Sequence, residues 1–236
     1  MPTSTEVPPR EAIFNNLTGK AVVKQQVFDV MVDTFNQIKE ILHELCSDIN
    51  DALPETLNRR VRLEYRDRGR FEAEIKIAGD VLVVGMHSNV FQFDDEHPIW
   101  KLPYVQRDAH NSYCGIISIY NFLSDSFKYN RSEDVGYLVG RIFINRDKCF
   151  FVDGKRQQRF RVNHFGENVL ARADLVSIME TAMLYATEFD LLVPPYDTVK
   201  QATVEQINAK VENAKLPTGK RLGFPYCAND VPNVAE

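Results

Sequence analysis

The chain has no CxxC pair and no dense cysteine framework. Its four cysteines, Cys46, Cys114, Cys149 and Cys227, are widely scattered, unlike the stapled frameworks of small secreted domains, and they read as free thiols in a reducing compartment. Long apolar runs are missing as well. No segment reaches the roughly 18 uninterrupted apolar residues that a membrane span requires. The opening stretch MPTSTEVPPR lacks the basic region and apolar run of a secretory leader. The expectation is therefore a cytoplasmic protein without a membrane partner. Phosphate-binding motifs are absent too: Gly79 and Gly85 do not complete GxGxxG, and Pro217-Thr218-Gly219-Lys220 lacks the glycine before it and the Ser or Thr after it. Neither GxSxG nor HExxH occurs, nor does the glycine and aromatic signature of an RNA-binding sheet. A formal charge of -5 argues against a protein that coats nucleic acid or anionic membrane through its overall field, and leaves only local basic patches.

What remains is an ordinary globular composition of 236 residues, 44% hydrophobic and 26% charged, long enough to bury a core without disulfide or metal support. The longest signal is an apolar heptad: Phe28, Met31, Phe35, Ile38, Leu42, Leu45 and Ile49. It predicts a helix from about Lys20 to Leu53, stopped by Pro54 because proline cannot supply a helix-interior donor. A period near 3.5 suits a seam with a second subunit, giving a homodimer through residues 28–49. Val27, Val30, Val32 and Ile41 widen the stripe, which suits packing on the protein's own sheet equally.

Alternation takes over beyond residue 59. Val61, Leu63 and Tyr65 oppose Arg60, Arg62, Glu64 and Arg66, and after the turn Asp67-Arg68-Gly69-Arg70 the segment FEAEIKI alternates again, followed by Gly79-Asp80 and VLVVGM. CGIISIYNF reads as a further strand, and residues 123–135 as a polar connection. GYLVGRIFIN, CFFV and KRQQRFRV form a second meander, with turns at Arg146-Asp147-Lys148 and Asp153-Gly154, the latter a favoured hairpin dipeptide. Ala171–Leu192 returns to helical period before Pro194-Pro195, and a short helix is expected around Val204, Ile207 and Val211. The expected fold is α+β: a predominantly antiparallel sheet of about six to eight strands, curved or partly barrel-like, packed by the N-terminal and C-terminal helices. A flexible segment over 1–19, one domain over 20–214 and an extended tail over 215–236 complete the layout.

Three features carry candidate chemistry. His87, His97 and His110 fall close together with Asp94, Asp95, Glu96 and Asp108. Imidazole and carboxylate are ligand types for zinc, iron or manganese, so His87, Asp94, His97 and His110 are the candidate metal set, against a solvated acidic loop. Asp108, His110 and Cys114 raise a thiol nucleophile with a histidine base. On a strand, however, residues four apart are roughly 13 Å apart, too far for a direct bond, and Cys114 then reads as a buried small hydrophobe. The third feature is cationic: Arg60 and Arg62 in the first meander, Arg159 and Arg161 in the second, form an anion- or partner-binding surface if the two strand faces adjoin. Glu64, Glu72 and Glu74 stand ready to neutralise the first group.

No cofactor is evident. The leading expectation is a non-enzymatic ligand- or partner-binding regulatory domain, using a pocket between sheet and helices or the arginine-rich face. One alternative is a metal-dependent or Cys/His hydrolase built on residues 87–114; another is an assembly protein dimerising through its N-terminal helix.

Overall fold

The computed structural model describes residues 8–188, 190 and 204. Helix α1 (Pro9–Asn16) runs through a π-helical turn (Leu17–Ala21) into the long α2 (Val22–Ala52). The helical stretch thus begins well before Lys20, because proline is tolerated in a first helical turn, where its missing donor is not needed. Pro54 ends it as expected, with Leu53 already extended at the cap.

Strands β1 (Glu64–Asp67), β2 (Glu72–Ile77), β3 (Asp80–Met86), β4 (Gly115–Leu123), β5 (Tyr137–Ile144) and β6 (Phe150–Gly154) form one six-stranded sheet. Every neighbouring pair is antiparallel and spatial order follows chain order, so β1 and β6 are the edges of an open meander. Short helices α3 (Pro103–Arg107) and α4 (Ser124–Lys128) lie in the connections, and α5 (Arg172–Thr187) closes the described chain. This is the expected α+β fold.

The inner face follows from period two. Ala73, Ile75 and Ile77 of β2, Leu82, Val84 and Met86 of β3, and Ile117 and Ile119 of β4 meet Val27, Met31, Phe35, Ile38 and Leu42 of α2 and Leu175, Ile178, Met179 and Ala182 of α5. The heptad is spent on the protein's own sheet: Met31, Phe35, Ile38 and Leu42 are buried within the chain. A second, smaller cluster sits on the opposite face, where Ile99, Val105, Cys114, Phe143, Cys149, Phe151 and Phe165 pack under the loop layer of residues 87–113 and 157–169.

A β-bulge sets which side chains reach that second face. Ile119 pairs with Gly140 but Tyr120 with Leu138, leaving Val139 as the extra residue. Tyr137 and Val139 face the helices before the bulge, and Ile142 and Ile144 face them after it. Without the extra residue, strict alternation would turn Arg141 and Phe143 into the helix-covered core.

Several local expectations are corrected. Arg59–Val61 is a single 3-10 turn and the strand begins only at Glu64. Asp153-Gly154 is not a hairpin turn but the end of β6, paired with Arg141 and Gly140. Its glycine answers a close approach: a Cβ on Gly154 would lie 2.7 Å from both the Gly140 Cα and the Val139 carbonyl oxygen. KRQQRFRV is not a strand. It folds into 3-10 turns at Gln158–Phe160 and Val162–His164, because Gln157 is drawn inward to donate to the Ile178 carbonyl of α5 and Phe160 packs on Phe150. The connection over 123–135 contains α4. The expected helix around Val204–Val211, apart from Val204, and the tail over 215–236 lie outside the described residues.

Candidate functional site

On the sheet face away from the long helices, the loop layer leaves an open cleft of about 760 Å³ over β4, β5 and β6. Its floor is a ladder of cross-strand pairs. Ile116, Phe143 and Phe151 are register partners in one row, and Ser118, Arg141 and Asp153 in the next. Phe143 and Phe151 stack at 4.7 Å between centroids and 15° between planes, and Phe93 from the loop layer lies 5.3 Å from Phe143. His97 stacks on Phe93 at 4.4 Å. Four flat side chains therefore lie together, Phe143 and Phe151 in the floor and Phe93 and His97 beside them, a geometry worth more than its buried area because ring edges and faces are complementary.

The polar wall belongs to Arg141, Asp153 and Arg161, with Asp94 and Asn163 at the margin. Arg141 donates to Asp153 at 2.6 Å and its guanidinium lies 5.3 Å from the Phe143 ring. Both partners of that ion pair are about half exposed, so its net stabilisation is roughly 1 kcal/mol or less. The Arg141 Nε, by contrast, is buried without an acceptor among the described residues. Arg161 follows the 3-10 turn at Gln158–Phe160 and forms no ion pair among the described residues. Burial lowers the His97 pKa, opposed by Asp94 and Asp153 and assisted by Arg141. Its Nδ1 accepts from the Ile99 amide, so the neutral ring carries its proton on Nε2.

The histidines and aspartates nominated from sequence mostly serve the backbone. His87 Nδ1 accepts from the Asn89 amide at 3.0 Å, His97 Nδ1 from the Ile99 amide at 3.3 Å, and Asp108 Oδ1 from the His110 amide at 2.9 Å. Each is the same two-residue bond that starts a tight turn. Among the described residues no group of three or more His, Cys, Asp or Glu side chains is placed to hold a metal ion. Asp94 offers its carbonyl to the Trp100 indole.

Asp108 and His110 do meet, at 3.1 Å between Oδ1 and Nδ1, and Arg146 donates to the other carboxylate oxygen at 2.6 Å. The His110 amide and the Arg146 guanidinium hold the Asp108 carboxyl below its ordinary value. Around them, Asn145 donates to the Tyr104 hydroxyl and the Asn111 carbonyl and accepts from the Asp147 and Cys149 amides. That network ties the loop layer to the β5–β6 turn. Cys114 sits beneath it, wholly buried, and burial drives its thiol pKa far up. Such burial disfavours the thiolate that a Cys/His hydrolase would need at this position.

The arginines separate. Arg60 and Arg62 precede the β1 edge, whereas Arg159 and Arg161 follow β6 at the other, so the two groups do not share one strand-built surface. Arg62 donates to the Asn50 carbonyl. Arg66 pairs with Glu64 and Glu74, and Arg68 with Glu72 and Glu74, the cross-strand neutralisation that alternation allowed. Arg159 lies over the Phe160 ring and lines a different depression with His164 and Asp174.

Asp94, His97 and Arg161 come from two features that were separate in sequence and share this cleft. Nothing local in the sequence marks Arg141, Phe93, Phe143, Phe151 or Asp153 as site residues. The available signal was the alternation of RIFI against FFVD, which reads simply as core. No helix among the described residues is long and apolar enough to cross a membrane. No family model, curated protein or solved structure matches the chain.

Proposed function

We propose that the chain is a ligand-binding regulatory domain whose site is this cleft, and that its ligand is a small organic molecule with a flat apolar part and an anionic group. The observation that carries the reading is one cavity lined by two stacked pairs, Phe93 with His97 and Phe143 with Phe151, and bordered by Arg161, a guanidinium without an ion pair among the described residues. About 760 Å³ falls within the range of small-molecule sites, which combine apolar walls with a few placed polar groups. A ring inserted beside Phe143 gains stacking and burial, and a carboxylate or phosphate meets a guanidinium that presents two parallel donors. What these residues offer is recognition: they hold and orient a ligand.

Titration calorimetry with 2-naphthoate and its neutral counterpart 2-naphthol tests the reading. Wild-type protein is expected to prefer the carboxylate. Arg161→Gln is expected to lose about tenfold or more of the naphthoate affinity while naphthol binding holds. Equal naphthoate binding by the variant sinks the assignment of Arg161.

A further inference from the structure

We infer that two copies of this chain associate by exchanging their N-terminal helical arms, each arm seating its apolar side chains in a groove at the far end of the other copy's α2. Two exposed features, at opposite ends of one helix, motivate it.

The first is the arm. None of the residues of α1 is buried, and Ile13, Phe14 and Leu17 are 59%, 65% and 60% exposed. These three large apolar side chains stand close together on consecutive turns. A short helix of this kind has little stability in water by itself, and helices in proteins are held mainly by packing one face. Further along, the Lys20 and Lys24 ammonium groups reach the Tyr113 ring at 5.7 and 5.4 Å, which fixes the direction in which the arm leaves the domain.

The second is a groove of about 390 Å³ between the C-terminal ends of α2 and α5 and the β1–β2 side of the sheet. Its walls are almost wholly apolar, including Ile49, Leu53, Leu63, Met183 and Leu184, with Glu180 as the charged residue among them. An apolar cavity of roughly 150 Å³ takes up a benzene ring. The groove therefore has room for the Phe14 ring with an aliphatic side chain beside it.

Charge selects a second copy running antiparallel. Residues 9–24 carry Arg10, Lys20 and Lys24 against Glu11, while residues 44–55 carry Glu44, Asp48, Asp51 and Glu55 and no Lys or Arg. One end of the helix is basic and the other acidic; Glu44 is paired with Arg172 of its own chain, which leaves Asp48, Asp51 and Glu55 to face a basic arm. Two arms laid on each other would bring like charges together, whereas an antiparallel pair sets each basic arm along the other's acidic end. Arg59, Arg60 and Arg62 follow that acidic end, and Arg62 is engaged with the Asn50 carbonyl. A two-fold axis satisfies both arm–groove contacts at once and closes the assembly at two subunits. This dimer leaves the buried heptad residues Met31, Phe35, Ile38 and Leu42 in the core and uses only the half-buried Ile49 at the end of the stripe, and it does not depend on what the cleft binds.

Sedimentation equilibrium of the full chain measures it, with Cys227→Ser as background for cross-linking. Wild-type protein is expected to approach twice 27.1 kDa at tens of micromolar. Leu17→Glu and Leu184→Glu are each expected to weaken the dimer about tenfold or more, with circular dichroism unchanged because both positions are exposed. In an oxidised mixture of Phe14→Cys and Leu184→Cys chains, the disulfide is expected between the two variants. A wild-type monomer, as when the chain's own later residues fill the groove, overturns the proposal. So does a dimer indifferent to both glutamates, or cross-linking only between Phe14→Cys chains.

Discussion

On the face covered by α2 and α5, β2, β3 and β4 meet regular helices, and Val27, Ile38, Ile75 and Ile178 lose essentially all contact with solvent. On the other face, β4, β5 and β6 meet turns and loops, and half-buried Phe93 and His97 border an open cleft beside buried Phe143 and Phe151. The difference lies in the covering layer. A helix presents a continuous apolar stripe at a fixed period, so it can seal a sheet. A loop layer pinned at intervals by two-residue hydrogen bonds cannot, and it leaves concave apolar surface with polar groups at its edge. One sheet thus carries a sealed core on one side and, on the reading proposed above, recognition on the other.

The largest expected effect belongs to the sealed face. Phe35→Ala removes a ring that is 1% exposed and should lower unfolding stability by about 3–5 kcal/mol in urea melts, with little change in naphthoate affinity for the protein that remains folded. Gly154→Ala attacks the junction between the faces. Its Cβ meets the backbone at the bulge, so β6 must shift, and a loss of about 1–3 kcal/mol is expected together with loss of ligand affinity, since Arg141 and Asp153 are set by that register. Phe143→Leu sharpens the contrast: about 1.5 kcal/mol of stability or less, but clear weakening of naphthoate binding through the lost stack.

A pH effect marks the open face. Because burial lowers the folded pKa of His97 below its ordinary 6.5, the unfolded chain binds more protons as pH falls through that value. Stability should therefore be flat above it and decline below it. In His97→Phe this part of the decline should vanish from the pH series of urea midpoints. Smallest of all, Arg68→Gln removes ion pairs to Glu72 and Glu74 on the outer face of β1 and β2, for about 1 kcal/mol or less at low salt.

The parts of this comparison that were legible in sequence are the periodic ones. The heptad located α2, and the alternation of FEAEIKI and VLVVGM located β2 and β3, because each is a local pattern matched to its own burial. The cleft was only half legible. Segment 87–114 is rich in ligand-type side chains, and Asp94 and His97 do line the cleft, yet His87, His97 and Asp108 are used to start turns. Arg141 was hidden because the extra residue Val139 reverses the alternation of β5, and a bulge has no reliable local signature. Pairing of Arg141 with Asp153 and of Phe143 with Phe151 is a matter of strand register. Arg161 stands in sequence as one of a cationic row; the buried Gln157 and Phe160 fold that row into turns that send Arg159 and Arg161 apart.

The most direct measurement is a ¹H–¹⁵N correlation spectrum during titration with 2-naphthoate, because the chain has one tryptophan and its indole donates to the Asp94 carbonyl at the cleft margin. The account predicts a saturable shift of the Trp100 indole signal together with the amides of Phe93, Arg141, Phe151 and Asp153, and none at Arg66 or Arg68. Saturable shifts confined to β1 and β2, or no saturable shift at Trp100, would contradict it.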